Sequence, residues 1–440
     1  MKDKTEKKTR SSIVRDSLDT FGTNAIGAAI TLISTFLVLN RVDPSIKGLY
    51  NTVQLWGGGF ASLLGLSINS AVMYFVARYK VQNTRGAIRK LTFWIGGAIV
   101  IIGSLLMVLL RNSQFFYQTP VPYLIAIVIY GVSSFILNIC LAVLRGENKF
   151  RSFNIINLIQ RILVFLLAVV VFLRPSAAVW VWFTNAISIA MIAVAFYSMK
   201  RWSGPMPEPA AEDNFTVQTG SMVKYSLKSH VSNVMTYINS YLGSYIVQGA
   251  YGTSNFGVYN TAYTMMQQVW ILPDAVSLVI MTRIASMKEQ SEKQKLTVVS
   301  CKIVTYISAV IAVALVWVAN LLVPVVFPKY IGALNPLKYL IVGSIFISYA
   351  KVLNNSIAAY GRPELNIIPT AIGIVANLAL SVALAPVFGM NGVAIATSLS
   401  LTLQGISSII IFCTFTKTPF YRLFLPTGEE IAMAKGIIKK

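Results

Sequence analysis

Twelve long apolar stretches follow one another along this 440-residue chain, separated by short polar gaps. A run of about 20 apolar residues is the length that crosses a bilayer as an α-helix. The sequence therefore predicts spans near 17–40, 48–77, 91–110, 121–144, 154–173, 177–199, 222–248, 256–282, 297–327, 334–360, 366–388 and 392–416. With 55% apolar and only 12% charged residues, too little charge is present to wet the surface of a soluble globule. The predicted fold class is an all-α integral membrane protein.

The formal net charge of +22 would suggest nucleic acid in a soluble chain. Its distribution gives a different reading. Most of the 37 Lys and Arg residues occupy alternate gaps, among them Lys7, Arg10, Arg85, Arg89, Lys90, Arg145, Lys149, Arg151, Lys288, Lys293 and Lys295. The other side holds Arg41, Lys47, Arg111, Arg174, Lys329 and Lys338, and only Arg161 and Lys351 fall within spans. Positively charged loops stay in the cytoplasm, so both termini and the loops after even-numbered helices are expected inside. The basic residues then serve topology and attraction to anionic lipid, with no nucleic-acid partner expected. The first apolar run lacks a small-residue cleavage site and is expected to remain as helix 1 of a multi-pass cell-membrane protein. Cys140, Cys301 and Cys413 lie in apolar segments without metal spacing and read as small buried hydrophobes.

The string GLYNT at 48–52 returns as GVYNT at 257–261, an offset of 209 that also lays Asn24 on Asn233. Six spans before residues 200–220 and six after give the halves the same orientation, as for parallel repeats about an axis along the membrane normal. The expected organisation is a basic N-terminus (1–16), an N-lobe (17–199), a proline-containing cytoplasmic linker (200–220), a C-lobe (221–416) and a basic tail (417–440). The tail reads either as an amphipathic helix among headgroups or as a disordered end.

Hydrocarbon offers polar side chains no partner, so those within spans must face protein or a wet cavity. Helix 7 carries His230, Asn233, Tyr237, Ser240, Tyr241, Ser244 and Gln248 at steps of three and four, and helix 2 carries Asn51, Gln54, Gly58, Ser62, Gly65 and Asn69. Helix 1 offers Asn24, Thr20, Thr23, Gly27, Thr31 and Ser34, helix 8 offers Asn260, Thr264, Gln267 and Asp274, and helix 10 offers Ser344, Ser348, Lys351 and Asn355. Such stripes suggest a polar lumen shared between the lobes. The bland alternative is ordinary packing, since small and hydroxyl residues also join membrane helices.

Lys351 at mid-helix costs roughly 2.5–3.5 kcal/mol on insertion scales, which an anionic ligand group would offset; the plainer readings are snorkelling or a structural pair with a carboxylate. Asp274 is the one carboxylate of comparable depth and follows Pro273, so it reads as an ion or proton site or as a plain helix kink. Arg161 can meet either bilayer headgroups or a substrate phosphate. His230, the only histidine, is a candidate proton site or a ring bonded to a neighbour. There are no paired metal-spaced histidines, no phosphate-binding Gly-rich Lys motif and no large loop to house catalysis, so a carrier is expected rather than an enzyme.

The stretch YGRPELNIIPTAIGIVANLALSVALAPVFGMNGVAIATSLS (360–400) resembles the polysaccharide-transporter branch of the multidrug/oligosaccharidyl-lipid/polysaccharide flippase superfamily. So do the passage with Arg41, Gly48 and Tyr50, the VLRGENKFRSFN loop at 143–154, and Gly257, Tyr259, Leu272, Pro273 and Arg283. The resemblance implies two six-helix bundles around a central cavity, alternating access, and export of undecaprenyl-(pyro)phosphate-linked oligosaccharide. Polymerases or glycosyltransferases would be partners and no cofactor would be needed. Many relatives carry an Arg and an Asp in helix 7 where this chain reads Tyr241-Leu242-Gly243, so ion coupling through that pair does not carry over. Asp274, His230 or the membrane potential would then drive transport by H+, Na+ or charge.

A flippase must shelter sugar and phosphate while the polyprenyl tail stays in lipid. Tyr237, Tyr241 and Tyr245 are candidates for stacking on sugars, and Lys351 and Arg161 for binding phosphate. Two other readings compete. A multidrug exporter of the same fold would need deep carboxylates in the N-terminal lobe, where none lies deeper than Asp19. A membrane scaffold, or an enzyme handling polyprenyl substrates, would not depend on the polar stripes.

Overall fold

With no water to satisfy backbone N–H and C=O groups, apolar segments in lipid fold as helices. The computed structural model describes residues 22–23, 26–27, 29–116, 119–202, 217–287 and 289–425, and among these the regular structure is helical, with no strand. Thr20, Asn24, Lys288, the N-terminus 1–16, linker residues 203–216 and the tail beyond Leu425 lie outside the described residues. The helices are α1 (Ala29–Arg41), α2 (Pro44–Gly59), α3 (Ile68–Leu110), α4 (Val121–Gly146), α5 (Phe150–Leu173), α6 (Ala177–Trp202), α7 (Thr219–Gln267), α8 (Ile271–Ser286), α9 (Gln290–Val326), α10 (Leu334–Ala359), α11 (Ile367–Phe388) and α12 (Met390–Thr416).

Two of these are interrupted. Backbone φ turns positive at Lys80 within α3 (φ 61°) and at Gly252 within α7 (φ 78°). Glycine ends two others: Gly361 (φ 84°) follows α10 and Gly389 (φ 61°) separates α11 from α12, a conformation that costs glycine least. In the loop after α10, Arg362 Nε donates to Glu364 Oε1 at 2.5 Å. The Glu364 backbone N–H, and then Arg362, hold that carboxyl below its ordinary range.

The described residues gather into two compact units. The first comprises those up to Tyr237 together with Gln248–Gly257. Its core joins α2, α3, α4 and α6 through Val53, Phe60, Val72, Ile99, Ile127 and Val181, with Tyr50 stacked on Trp180 at 3.9 Å. A smaller cluster of Leu141, Leu144, Ile156 and Met191 binds α5 to α4 and α6. At the close of the linker, the Val217 N–H donates to Asn83 O at 2.9 Å.

Within this unit the leading glycines of the two pentapeptide copies, Gly48 and Gly257, are each covered by backbone from the other's neighbourhood. A Cβ on Gly48 would run into the Thr253 carbonyl oxygen, and a Cβ on Gly257 into the Pro44 carbonyl oxygen. Thr253 follows Pro44 at the same offset of 209 that relates the glycines. Each copy therefore receives the other's carbonyl at the equivalent place, which is the reciprocity of an isologous contact.

The second unit comprises Ile238–Val247 and the described residues from Val258 onward. Its core joins α8, α9, α10 and α12 through Ile280, Cys301, Val352, Leu353, Ile409 and Phe412. The first part of the tail also belongs to that core. Leu423 is buried, and three side chains donate to successive carbonyls: Tyr349 to Leu423 (3.4 Å), Tyr306 to Phe424, and Lys302 to Leu425 (3.2 Å). Residues 417–425 are thus bonded to α9 and α10, whereas the sequence suggests either a helix among headgroups or a disordered end.

The outward faces of both units are apolar. Val108 is 72% exposed, Val325 81% and Val382 68%. Among the described residues nine helices are long and apolar enough to cross a membrane. Greasy exterior surface on helices of that length is what a bilayer requires and what water would penalise.

Candidate functional site

In the first unit, α2 is rich in glycine near its end (Gly57, Gly58, Gly59), and Gly65 follows, residues that hold a helix weakly. The helix widens into a π-turn at Phe60–Leu64. Leu66 (φ 49°) and Ser67 (φ 53°) are then left-handed before α3 resumes at Ile68. Single π-turns inside α-helices are frequent at functional sites.

The helix 7 stripe closes on this break. Asn233 Nδ2 donates to Ser67 Oγ at 3.0 Å, His230 Nδ1 lies 3.1 Å from the same oxygen, and Tyr237 OH donates to the Leu55 carbonyl at 2.9 Å. Further along α7, Gln248 is fully buried. Its Oε1 accepts from Trp56 Nε1 at 2.9 Å, while Nε2 donates to Thr52 Oγ1 at 3.0 Å and to Phe115 O at 3.1 Å. Periodicity places His230, Asn233 and Tyr237 on one face, but Ser67, the residue on which two of them converge, carries no signal beyond a small hydroxyl after Gly65.

Other predicted residues of this unit lie nearby in sequence with different surroundings. Gln54 Nε2 donates to Tyr50 OH at 2.6 Å. Asn51 is buried, with no protein partner for Nδ2. Asn69 is half-buried in the first turn after the break. The half-buried Arg161 lies across Gly27, where a Cβ would overlap its guanidinium.

Ser67→Ala removes the hydroxyl that His230 and Asn233 share in the clasp. Interhelical side-chain hydrogen bonds in membranes average about 0.6 kcal/mol, so the expected loss is about 1 kcal/mol of thermal stability. Adding Asn233→Ala should then cost little more, because both changes break the same bond. Additive losses in detergent melts would show that the two side chains act independently.

In the second unit, Lys351 of α10 and Asp274 of α8 form an ion pair, Nζ to Oδ1 2.6 Å. The ammonium also lies 4.8 Å from the Trp270 ring centroid, a favourable cation–π distance. One turn along, Asn355 Nδ2 donates to Ser277 Oγ at 2.9 Å. Sequence reading singles out Lys351, Asp274 and Asn355 separately, and the fold brings them into one ladder between α8 and α10. Trp270 is not marked by the sequence pattern.

Gln267 is half-buried and Tyr241 exposed. Beside Tyr241, a Cβ on Gly243 would stand 2.6 Å from Tyr259 OH and 2.7 Å from Thr397 Oγ1, so a larger residue at that position has no room. Tyr263 OH donates to the Ser240 carbonyl at 2.7 Å. Among the described residues no cluster of His, Cys, Asp and Glu is arranged to hold a metal ion.

Long apolar helices with apolar exteriors define a multi-pass membrane protein. Comparison with known folds agrees. A multidrug resistance MATE family transporter of the MOP superfamily, in an inward-facing conformation, matches with a TM-score of 0.68 and 14% identity, over 90% of this chain and 94% of that one. The lipid II flippase MurJ, in an inward closed conformation, matches with a TM-score of 0.68 and 16% identity, over 91% and 89%. At such identities these likenesses concern the fold.

Residues 80–330 match the family described as "Polysaccharide biosynthesis protein", more than half of the chain, and the chain belongs to that family. A Haloferax volcanii protein named as the probable low-salt glycan biosynthesis flippase Agl15 is 23% identical over 234 residues, 52% of this chain and about half, 48%, of the relative's own length. A Shigella flexneri protein named as a candidate O-antigen transporter is 22% identical over 415 residues, 90% of this chain and 96% of the relative. Both relatives are named for transport, one as a flippase and the other as a transporter.

Proposed function

We propose that this protein is a flippase that moves polyprenyl-(pyro)phosphate-linked oligosaccharide from the cytoplasmic to the outer leaflet for cell-surface polysaccharide synthesis. The observation that carries the reading is an ammonium at mid-helix, Lys351, in a chain of the polysaccharide biosynthesis family. A lipid-linked sugar phosphate needs a cation inside the membrane and polar groups for its sugars, while a cationic drug needs the opposite charge. Lys351 and Arg161 are the phosphate-binding residues in this reading. In this reading His230, Asn233, Tyr237, Asn51, Gln54 and Asn69 are the sugar-facing candidates of the first unit and Tyr241, Gln267 and Asn355 those of the second; Asn24, the remaining candidate, lies outside the described residues.

The breaks at Lys80 and Gly252 support a twelve-span topology. If α2 runs through the π-turn into the part of α3 before Lys80, and the part of α7 after Gly252 runs on into α8, then with α1 there are twelve spans in two lobes of six, with both termini in the cytoplasm and transport by alternating access. The driving force is H+ or Na+ acting at Asp274 or His230, or the membrane potential, worth about 2.3 kcal/mol per charge per 100 mV. Polymerases and glycosyltransferases are the partners this role implies. Fold likeness to a multidrug transporter keeps cation-coupled drug export as the second reading.

Reconstituted vesicles test the choice. Wild-type protein should translocate a fluorescent polyprenyl-pyrophosphate glycan, and Lys351→Ala should lower that rate at least tenfold while the protein melts near its normal temperature. Efflux of cationic dyes without glycolipid movement would overturn the flippase reading.

A further inference from the structure

The Lys351 ammonium is not waiting bare for a ligand: a carboxylate of the same unit already holds it at 2.6 Å. The two side chains are unequally placed. Lys351 is 24% exposed and backed by the Trp270 ring, while Asp274 is 58% exposed. The cation is therefore anchored and the anion open on its outer side. Asp274 stands in the first turn of α8, directly after the 3-10 segment Gln268–Trp270 that presents the indole.

We propose that Asp274 is an internal stand-in for substrate phosphate, which the lipid-linked phosphate must displace from Lys351 before transport and which reclaims the ammonium to release it. The proposal rests on the flippase reading. An ammonium has three donors and can touch more than one oxygen. A phosphate and a carboxylate on one cation, however, lie close enough to repel each other. The two anions compete for one ammonium, and Asp274, the more exposed member of the pair, yields. A carrier needs this competition, because a site that binds too tightly to let go does not turn over.

Displacement also unlinks helices. The Lys351–Asp274 pair and the Asn355–Ser277 bond join α8 to α10 one turn apart. Phosphate on Lys351 opens the first of these and leaves the second, so loading of the site is felt as a loosened α8. Ligand binding shifts a conformational balance only through such differential contacts.

The test is equilibrium binding to the full-length protein in lipid nanodiscs, with polyprenyl monophosphate as probe and uncharged polyprenol as control. Four proteins are compared: wild type, Asp274→Asn, Lys351→Gln and the double variant. Removing the competitor in Asp274→Asn should tighten phosphate binding roughly two- to fivefold, the range an exposed ion pair is worth, with polyprenol binding unchanged. Lys351→Gln should weaken phosphate binding, and Asp274→Asn should have no effect in that background, closing a double-mutant cycle.

Phosphate binding that is specific in wild type but equal or weaker in Asp274→Asn overturns the stand-in role and leaves the flippase reading untouched. Phosphate and polyprenol binding wild type alike overturns the reading itself. Polyprenol affinity reports whether each variant is folded, and Asp274→Ser provides a second neutral replacement should Asn pack poorly.

Discussion

Gly48→Ala lowers the midpoint of thermal unfolding in detergent, although alanine is the better helix former. The propensity gain is about 1 kcal/mol. Against it stands a methyl placed on the Thr253 carbonyl oxygen, a backbone atom that no rotamer change removes. Overpacking of this kind costs about 1–3 kcal/mol or more, so the net effect is a loss. Gly257→Ala meets the Pro44 carbonyl and should lose a similar amount. The double variant should cost less than the sum of the two, because helices already parted by one methyl accommodate the other. Gly58, in the same helix α2, has open space where its Cβ would lie, and Gly58→Ala should raise the midpoint. Equal shifts for Gly48→Ala and Gly58→Ala would show that the close approach is absent in the membrane-extracted protein.

Gln248→Leu removes three hydrogen bonds while nearly keeping side-chain volume. Trp56 Nε1 loses this acceptor, Phe115 O loses its amide donor, and Thr52 loses its incoming bond but keeps the one it gives to the Gly48 carbonyl at 2.9 Å. A buried polar group deprived of a partner costs about 1–3 kcal/mol, and the expected total is about 2–4 kcal/mol of stability. Gln248→Glu is the sharper comparison. A carboxylate still accepts from Trp56 but, when ionised, cannot donate to Phe115 O, so it should be no better than leucine. A Gln248→Leu protein that melts like wild type would mean that water or lipid headgroups reach this amide and satisfy its partners.

Periodicity read several features well, for a reason that holds generally in lipid. Polar residues at steps of three and four face protein because hydrocarbon will not have them, and His230, Asn233 and Tyr237 do meet one segment of α2 and α3. The offset of 209 likewise marked residues that touch. What periodicity lacks is the identity of the neighbouring helix. Lys351 and Asp274 stand out in the sequence, and their comparable depth already offers Asp274 as a carboxylate partner, but spacing along separate helices does not show that α8 and α10 are neighbours. Backbone irregularity was partly hidden as well. Gly252 advertises its break, whereas Lys80, Leu66 and Ser67 adopt positive φ with side chains that ordinarily avoid it. Their conformation is imposed by surroundings, and for Ser67 the visible part of those surroundings is the clasp from α7.

The reciprocal approach of Gly48 and Gly257 has a meaning for ancestry. Each copy of the repeated segment offers the same bare glycine surface and receives the same carbonyl, so a shorter chain bearing one copy would make this contact by pairing in parallel with a second molecule of itself. The two glycines are tied by packing: a larger residue at either has to be answered by a shift of the backbone that faces it.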